Sequence, residues 1–112
     1  KNRKKINQIL NKYIKQKKTI AFWGGGGFSV AAINLYGVAK KDISYIIDSD
    51  SKKWGKQYLD HSIPIISPTK AKKKEPSLIV ITSYYTDNIK HQIKKMKFSA
   101  KVLAIFPTVK AI

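Results

Sequence analysis

Cysteine is absent from this chain of 112 residues, which excludes disulfide frameworks, thiolate zinc sites and cysteine nucleophiles. Arginine is nearly absent too, since Arg3 alone stands beside 22 lysines. Phosphate and base recognition usually recruits the planar arginine fork, so the net charge of +17 points to lysines spread over solvated faces and away from dedicated nucleic-acid binding. No apolar run approaches the roughly 18 residues of a membrane span, and no signal-peptide pattern opens the chain. A cytoplasmic location is expected. Acidic residues number six and histidines two. His61 and His91 lie far apart with no carboxylate or cysteine company, so surface histidines are expected and a metal site is not. The run Asp48-Ser49-Asp50-Ser51-Lys52 fails as a calcium loop, because Lys52 takes a ligand position and Leu59 stands where a bidentate glutamate belongs.

What remains is an ordinary globular balance, 43% hydrophobic and 26% charged, long enough for one compact domain with a true core. Opening on Lys1 with no methionine, the chain reads as a piece of a longer polypeptide. Residues 1–18 form a leading basic amphipathic helix, with Ile6, Ile9, Leu10, Tyr13 and Ile14 at helical spacing. That stripe either packs on the domain's own sheet or connects to a preceding domain. Residues 19–112 then alternate apolar strands with helices. Strands are expected at Thr19 to Trp23, Ile43 to Ile47, Ile63 to Ile66, Leu78 to Thr82 and Val102 to Phe106. Pro64 places the third of these at a sheet edge. Helices are expected at Phe28 to Tyr36, after Ser67-Pro68 as a cap and first turn, and at Tyr84 to Met96. Strands separated by helices imply an α/β, Rossmann-like three-layer domain with a mainly parallel sheet of about five strands.

The strongest local feature is a strand running into Gly24, Gly25, Gly26 and Gly27 ahead of a helix. Such a turn lets backbone N–H groups approach an anion, and the helix N-terminus adds about half a positive charge. As a dinucleotide fingerprint it is imperfect, since Ser29 stands where the third glycine belongs. These glycines therefore either contact ligand phosphate and sugar or form a structural tight turn. Asp48 ends the second strand, where an acidic side chain can accept ribose hydroxyls or cap a turn with Ser49 and Asp50. Ser83 and Tyr84 follow the fourth strand, beside the point where open parallel sheets bind ligands. A serine there caps the next helix or lines a pocket, and a tyrosine can stack on a base or bond a sugar. Two Tyr-x-x-x-Lys pairs, Tyr13 with Lys17 and Tyr36 with Lys40, lie away from the strand ends and are not catalytic candidates. A bulky neighbour such as Trp23 or Phe28 filling the glycine turn would leave a scaffold without a ligand.

Several segments recur in a recognisable order: Gly24 to Gly27, Asn34-Leu35-Tyr36-Gly37-Val38, Ile46-Ile47-Asp48 with Lys53 and Gly55, and Ile63-Pro64-Ile65-Ile66-Ser67-Pro68. Together they resemble the C-terminal domain of sugar C-methyltransferases that act on nucleotide-linked deoxysugars. Ser62 and the Ser83-Tyr84-Tyr85 segment depart from that pattern, and the latter, with Gln92-Ile93-Lys94-Lys95-Met96, looks more like Rossmann-like modules of other polysaccharide and surface-sugar enzymes. The resemblance implies a bacterial domain that holds a nucleotide-sugar or other phosphorylated small molecule and is not catalytic alone. It also implies further domains of the same polypeptide, with S-adenosylmethionine bound by one of them and no cofactor in this chain. The alternatives are an NAD(P)-binding domain of a sugar oxidoreductase or epimerase, and, third, a basic nucleic-acid-binding domain.

Overall fold

Ile20, Ala21, Phe22 and Trp23 are each at most 2% exposed, the signature of a strand covered on both faces. The computed structural model of the chain describes residues 2–24, 42–58, 63–83, 85–105 and 110–111. The helix expected at Phe28 to Tyr36 lies outside the described residues. The chain opens with α1 (Asn2–Lys15) and β1 (Ile20–Trp23), followed by β2 (Tyr45–Ile47) and a short 3-10 turn at Ser51–Lys53. β3 (Gln57–Tyr58), β4 (Ile63–Ile66), α2 (Pro68–Lys74), β5 (Leu78–Ile81), α3 (Thr86–Lys95), β6 (Lys101–Ala104) and β7 (Lys110–Ala111) complete it.

The seven strands of the described residues form one sheet in the order β3-β4-β2-β1-β5-β6-β7. The inner five are parallel, with Phe22 opposite Ile46 and Val80, Ile46 opposite Ile65, and Val80 opposite Leu103. From β1 the chain builds outward through β2 and β4, then returns to the other side of β1 for β5 and β6. That reversal of strand order falls between β1 and β5, the kind of position at which open parallel sheets bind ligands.

Alternation along each strand divides the core into two layers. On one face Ile20, Phe22, Ile46, Leu78, Val80 and Leu103 meet Ile6 and Leu10 of α1. The leading helix is therefore packed on the sheet, with Ile6 and Leu10 each 2% exposed. On the other face Ala21, Trp23, Ile47, Ile79 and Ile81 meet Ala71 of α2 and Ile89 and Ile93 of α3. Ser67 caps α2 as expected, its Oγ accepting from the Lys70 N–H at 3.1 Å with Pro68 opening the first turn.

Two expectations change. β4 is the outermost parallel strand but not the sheet edge, because β3 pairs with it antiparallel, Tyr58 opposite Ile63. Pro64 is tolerated because the ladder to β2 begins one residue later, at Ile65. α3 starts at Thr86, later than the expected Tyr84, because Ser83 and Thr86 first close a turn of their own.

Tyr45 sits in the layer beneath α2, 6% exposed, with Lys74 Nζ 6.0 Å from its ring centre. Its buried hydroxyl meets no hydrogen-bond partner among the described residues. Burial, reinforced by the Glu75 carboxylate, pushes its pKa from the ordinary 10.0 up to about 12. The folded state thus keeps a proton that the unfolded chain releases. Stability from this group is complete below pH 10 and is lost as pH rises through about 12. Tyr45→Phe is expected to raise unfolding stability by about 1 kcal/mol, since it removes a desolvated hydroxyl that gains no bond. Chemical denaturation at neutral pH checks the gain. An alkaline absorbance titration should lose a tyrosinate step near pH 12 in the variant.

Candidate functional site

The carboxyl ends of β2, β1 and β5 lie side by side; β2 and β1 pass directly into Asp48 and Gly24, and β5 reaches Ser83 one residue later, after Thr82. Gly24 follows β1 with φ +123°, a conformation that side chains with a Cβ rarely adopt. Its N–H donates to the Ile47 carbonyl at 2.8 Å, which ties the end of β1 to the end of β2. A Cβ on Gly24 would lie 3.3 Å from Ser83 Cβ, from the Thr82 carbonyl oxygen and from Thr82 Oγ1. Backbone conformation and crowding therefore both demand glycine here.

Thr82 is a residue at this edge that the sequence did not single out. It is 1% exposed, and its hydroxyl lies 3.1 Å from the Trp23 carbonyl and 3.2 Å from the Gly24 carbonyl. Its N–H also donates to the Trp23 carbonyl, at 3.0 Å. β5 is thereby stitched to β1 where the strand order reverses. The only local signal is a threonine closing an all-apolar run, which by itself reads as a strand end.

Ser83, half-buried, holds the turn that follows. Its Oγ accepts from the Tyr85 N–H at 3.1 Å, and its carbonyl accepts from Thr86 Oγ1 at 3.0 Å. The hydroxyl thus braces the turn before α3 and is not the helix cap; Tyr85 occupies that position without a side-chain bond. Trp23 does not obstruct the edge. Its ring is packed in the core, edge-on to Phe98 at 5.8 Å.

Asp48 leaves β2 with its side chain 13% exposed. One carboxylate oxygen accepts from the Asp50 N–H at 2.9 Å, and the other lies 3.4 Å from Lys53 Nζ. The turn-capping role considered for Asp48 is thus present. Asp50 Oδ1 in turn accepts from the Lys52 N–H at 3.1 Å and caps the 3-10 turn. Gly55, at φ +81°, lets the chain double back so that its N–H reaches the Ile65 carbonyl at 3.1 Å. Gly24, Asp48 and Ser83 are therefore gathered on one edge by three adjacent strands. Gly25, Gly26, Gly27 and Tyr84, along with Phe28, lie outside the described residues.

A groove of about 600 Å³ between α3 and β6, lined by Lys90, His91, Lys94, Phe98 and Val102 among others, includes none of the edge residues. Among the described residues no helix is long and apolar enough to cross a membrane.

Residues 1–107 match the C-methyltransferase C-terminal domain. The chain belongs to that family. A search of curated proteins found no match. Among solved structures, the C-methyltransferase C-terminal domain described here is similar to the crystal structure of UDP-D-quinovosamine 4-dehydrogenase from Vibrio fischeri, with a TM-score of 0.58 and 19% identity. That likeness covers 85% of this chain and 93% of the other. At such identity it establishes the α/β Rossmann-like fold, here in a C-methyltransferase C-terminal domain whose strand order reverses beside Gly24 and Ser83.

Proposed function

We propose that this C-methyltransferase C-terminal domain holds a nucleotide-linked sugar across the carboxyl ends of β2, β1 and β5 and positions it for chemistry performed elsewhere in the polypeptide. The observation that carries this reading is the contact of Gly24 with Thr82 and Ser83 at the strand-order reversal, with Asp48 closing the neighbouring strand. In open parallel sheets, ligands bind in the crevice outside such a reversal. Gly24 and the glycines that follow it in sequence are the residue type that lets backbone amides approach a diphosphate closely. Asp48 would accept hydroxyl hydrogen bonds from ribose or sugar, and Ser83 and Tyr84 would form the opposite wall. Holding a substrate in a productive orientation is a catalytic contribution in itself, because it removes translational and rotational freedom before the reaction. Family membership and the fold neighbour, an enzyme named for a UDP-linked sugar, support the substrate class.

Titration of the 15N-labelled chain with UDP-glucose and dTDP-glucose provides the test. Amide shifts at Gly24, Asp48 and Ser83 are expected, with no comparable change on α2. If neither sugar nucleotide moves those resonances, the reading fails. If NADH moves them where both sugar nucleotides are silent, a dinucleotide-binding domain replaces it.

A further inference from the structure

Trp54 was not among the candidate ligand contacts, yet it stands at the same edge. Among the described residues, Trp54 and Tyr85 are the large hydrophobic side chains left exposed, Trp54 at 42%. Isolated exposed aromatics are common and need no explanation. This one differs because it is held. Its Nε1–H donates to the Asp48 carbonyl at 2.6 Å, its backbone N–H to the Ser51 carbonyl at 3.3 Å, and the next N–H, of Gly55, to Ile65. The surrounding loop is tied down as well, with Asp48 bonded to Asp50 and Lys53, and Ser49 Oγ 3.2 Å from Gln92 Oε1 on α3. An indole whose polar atom is already engaged has only its apolar surface to offer. Fixed in advance, it loses little side-chain freedom when a flat partner stacks on it.

Direction follows from the sheet. A ligand whose diphosphate meets the end of β1 and whose ribose meets Asp48 must carry its base outward past the end of β2. That is the segment bearing Trp54. We propose that Trp54 is the stacking platform for the base of a nucleoside diphosphate whose ribose faces Asp48, an inference that rests on the binding reading above. Stacking tolerates any base, since each has a π face, so Trp54 would supply affinity and placement and leave the choice of base to other contacts.

The full chain titrated with UDP, and separately with ribose 5-phosphate as a base-free counterpart, tests this without mutation. Trp23 is 2% exposed and Trp54 42%, so the two indole N–H resonances report different sites. UDP should shift the Trp54 indole resonance and quench the exposed part of the tryptophan emission, whereas ribose 5-phosphate should do neither. Trp54→Ala should weaken UDP binding by roughly five- to a hundredfold, Trp54→Phe should lose less, and neither should alter ribose 5-phosphate binding. If UDP perturbs Gly24 and Ser83 while Trp54→Ala binds it as tightly as the parent, the stacking role alone is overturned and the site stands. An equal loss for both ligands in Trp54→Ala would mean that the loop had been disturbed, and would also overturn it. If UDP leaves Gly24, Ser83 and Trp54 all unmoved, stacking and the site fall together.

Discussion

Replacing Gly24 with valine is expected to lower the unfolding temperature by roughly 10–20 °C and to abolish sugar-nucleotide binding in the protein that remains folded. Two costs act together. A β-branched residue at φ +123° is held in a region open essentially to glycine, which costs about 1–3 kcal/mol. Its Cβ would also lie 3.3 Å from Ser83 Cβ and from two atoms of Thr82, and Thr82 is anchored by its bonds to the Trp23 and Gly24 carbonyls. The neighbours cannot retreat cheaply, because retreat would unpick β5 from β1. At this chain length each kcal/mol moves the midpoint by several degrees. Gly24→Ala should show a smaller loss of the same sign. Thermal unfolding by circular dichroism, paired with the UDP-glucose titration, reads both effects. A valine variant that melts within a degree or two of the parent would show that the turn relaxes, and the argument for a constrained site would go with it.

Leu10→Ala is expected to destabilise the fold by about 2–5 kcal/mol, the range for removing a fully buried leucine side chain. Leu10 and Ile6 are each 2% exposed and meet Ile20, Phe22 and Leu78 across the sheet face. Ile14 only packs against that cluster from its margin, so Ile14→Ala should cost clearly less. Lys12→Ala, on the exposed side, should change stability by no more than about 0.5 kcal/mol. Ile6→Ala combined with Leu10→Ala should not give a simple sum, because the two share one face one turn apart. Urea denaturation of the series makes the comparison. Equal, negligible effects at Leu10 and Lys12 would mean that the helix is an appendage to the sheet.

Local pattern was enough wherever one residue type had one physical outcome. Ile20 to Trp23 and Leu78 to Ile81 are apolar throughout, and a short run of that kind has no stable place except between two covering layers. Ser67 before Pro68 announces a helix start for the same reason, the hydroxyl and the missing N–H each suiting only that position. The pattern was weaker where pairing decides. Gln57 and Tyr58 form a strand of two residues, too short for any periodicity, and it is their pairing with Ile63 and Pro64 that moves β4 inward from the edge. The start of α3 was likewise misplaced, since Ser83 could cap the helix or brace the turn before it, and both use the same hydroxyl.

At the site the division is similar. The sequence by itself determined the α/β alternation, the two-layer core, a glycine run after β1 and an aspartate closing β2, because each follows from neighbours within a few residues. Only the tertiary structure decided that Gly24 abuts Ser83, that Thr82 locks β1 to β5, and that Trp54 is pinned to the Asp48 carbonyl. The first two join residues nearly 60 positions apart, brought together by strand order. The third spans six positions but needs the turn that Gly55 and Ile65 close, and no local preference encodes that turn.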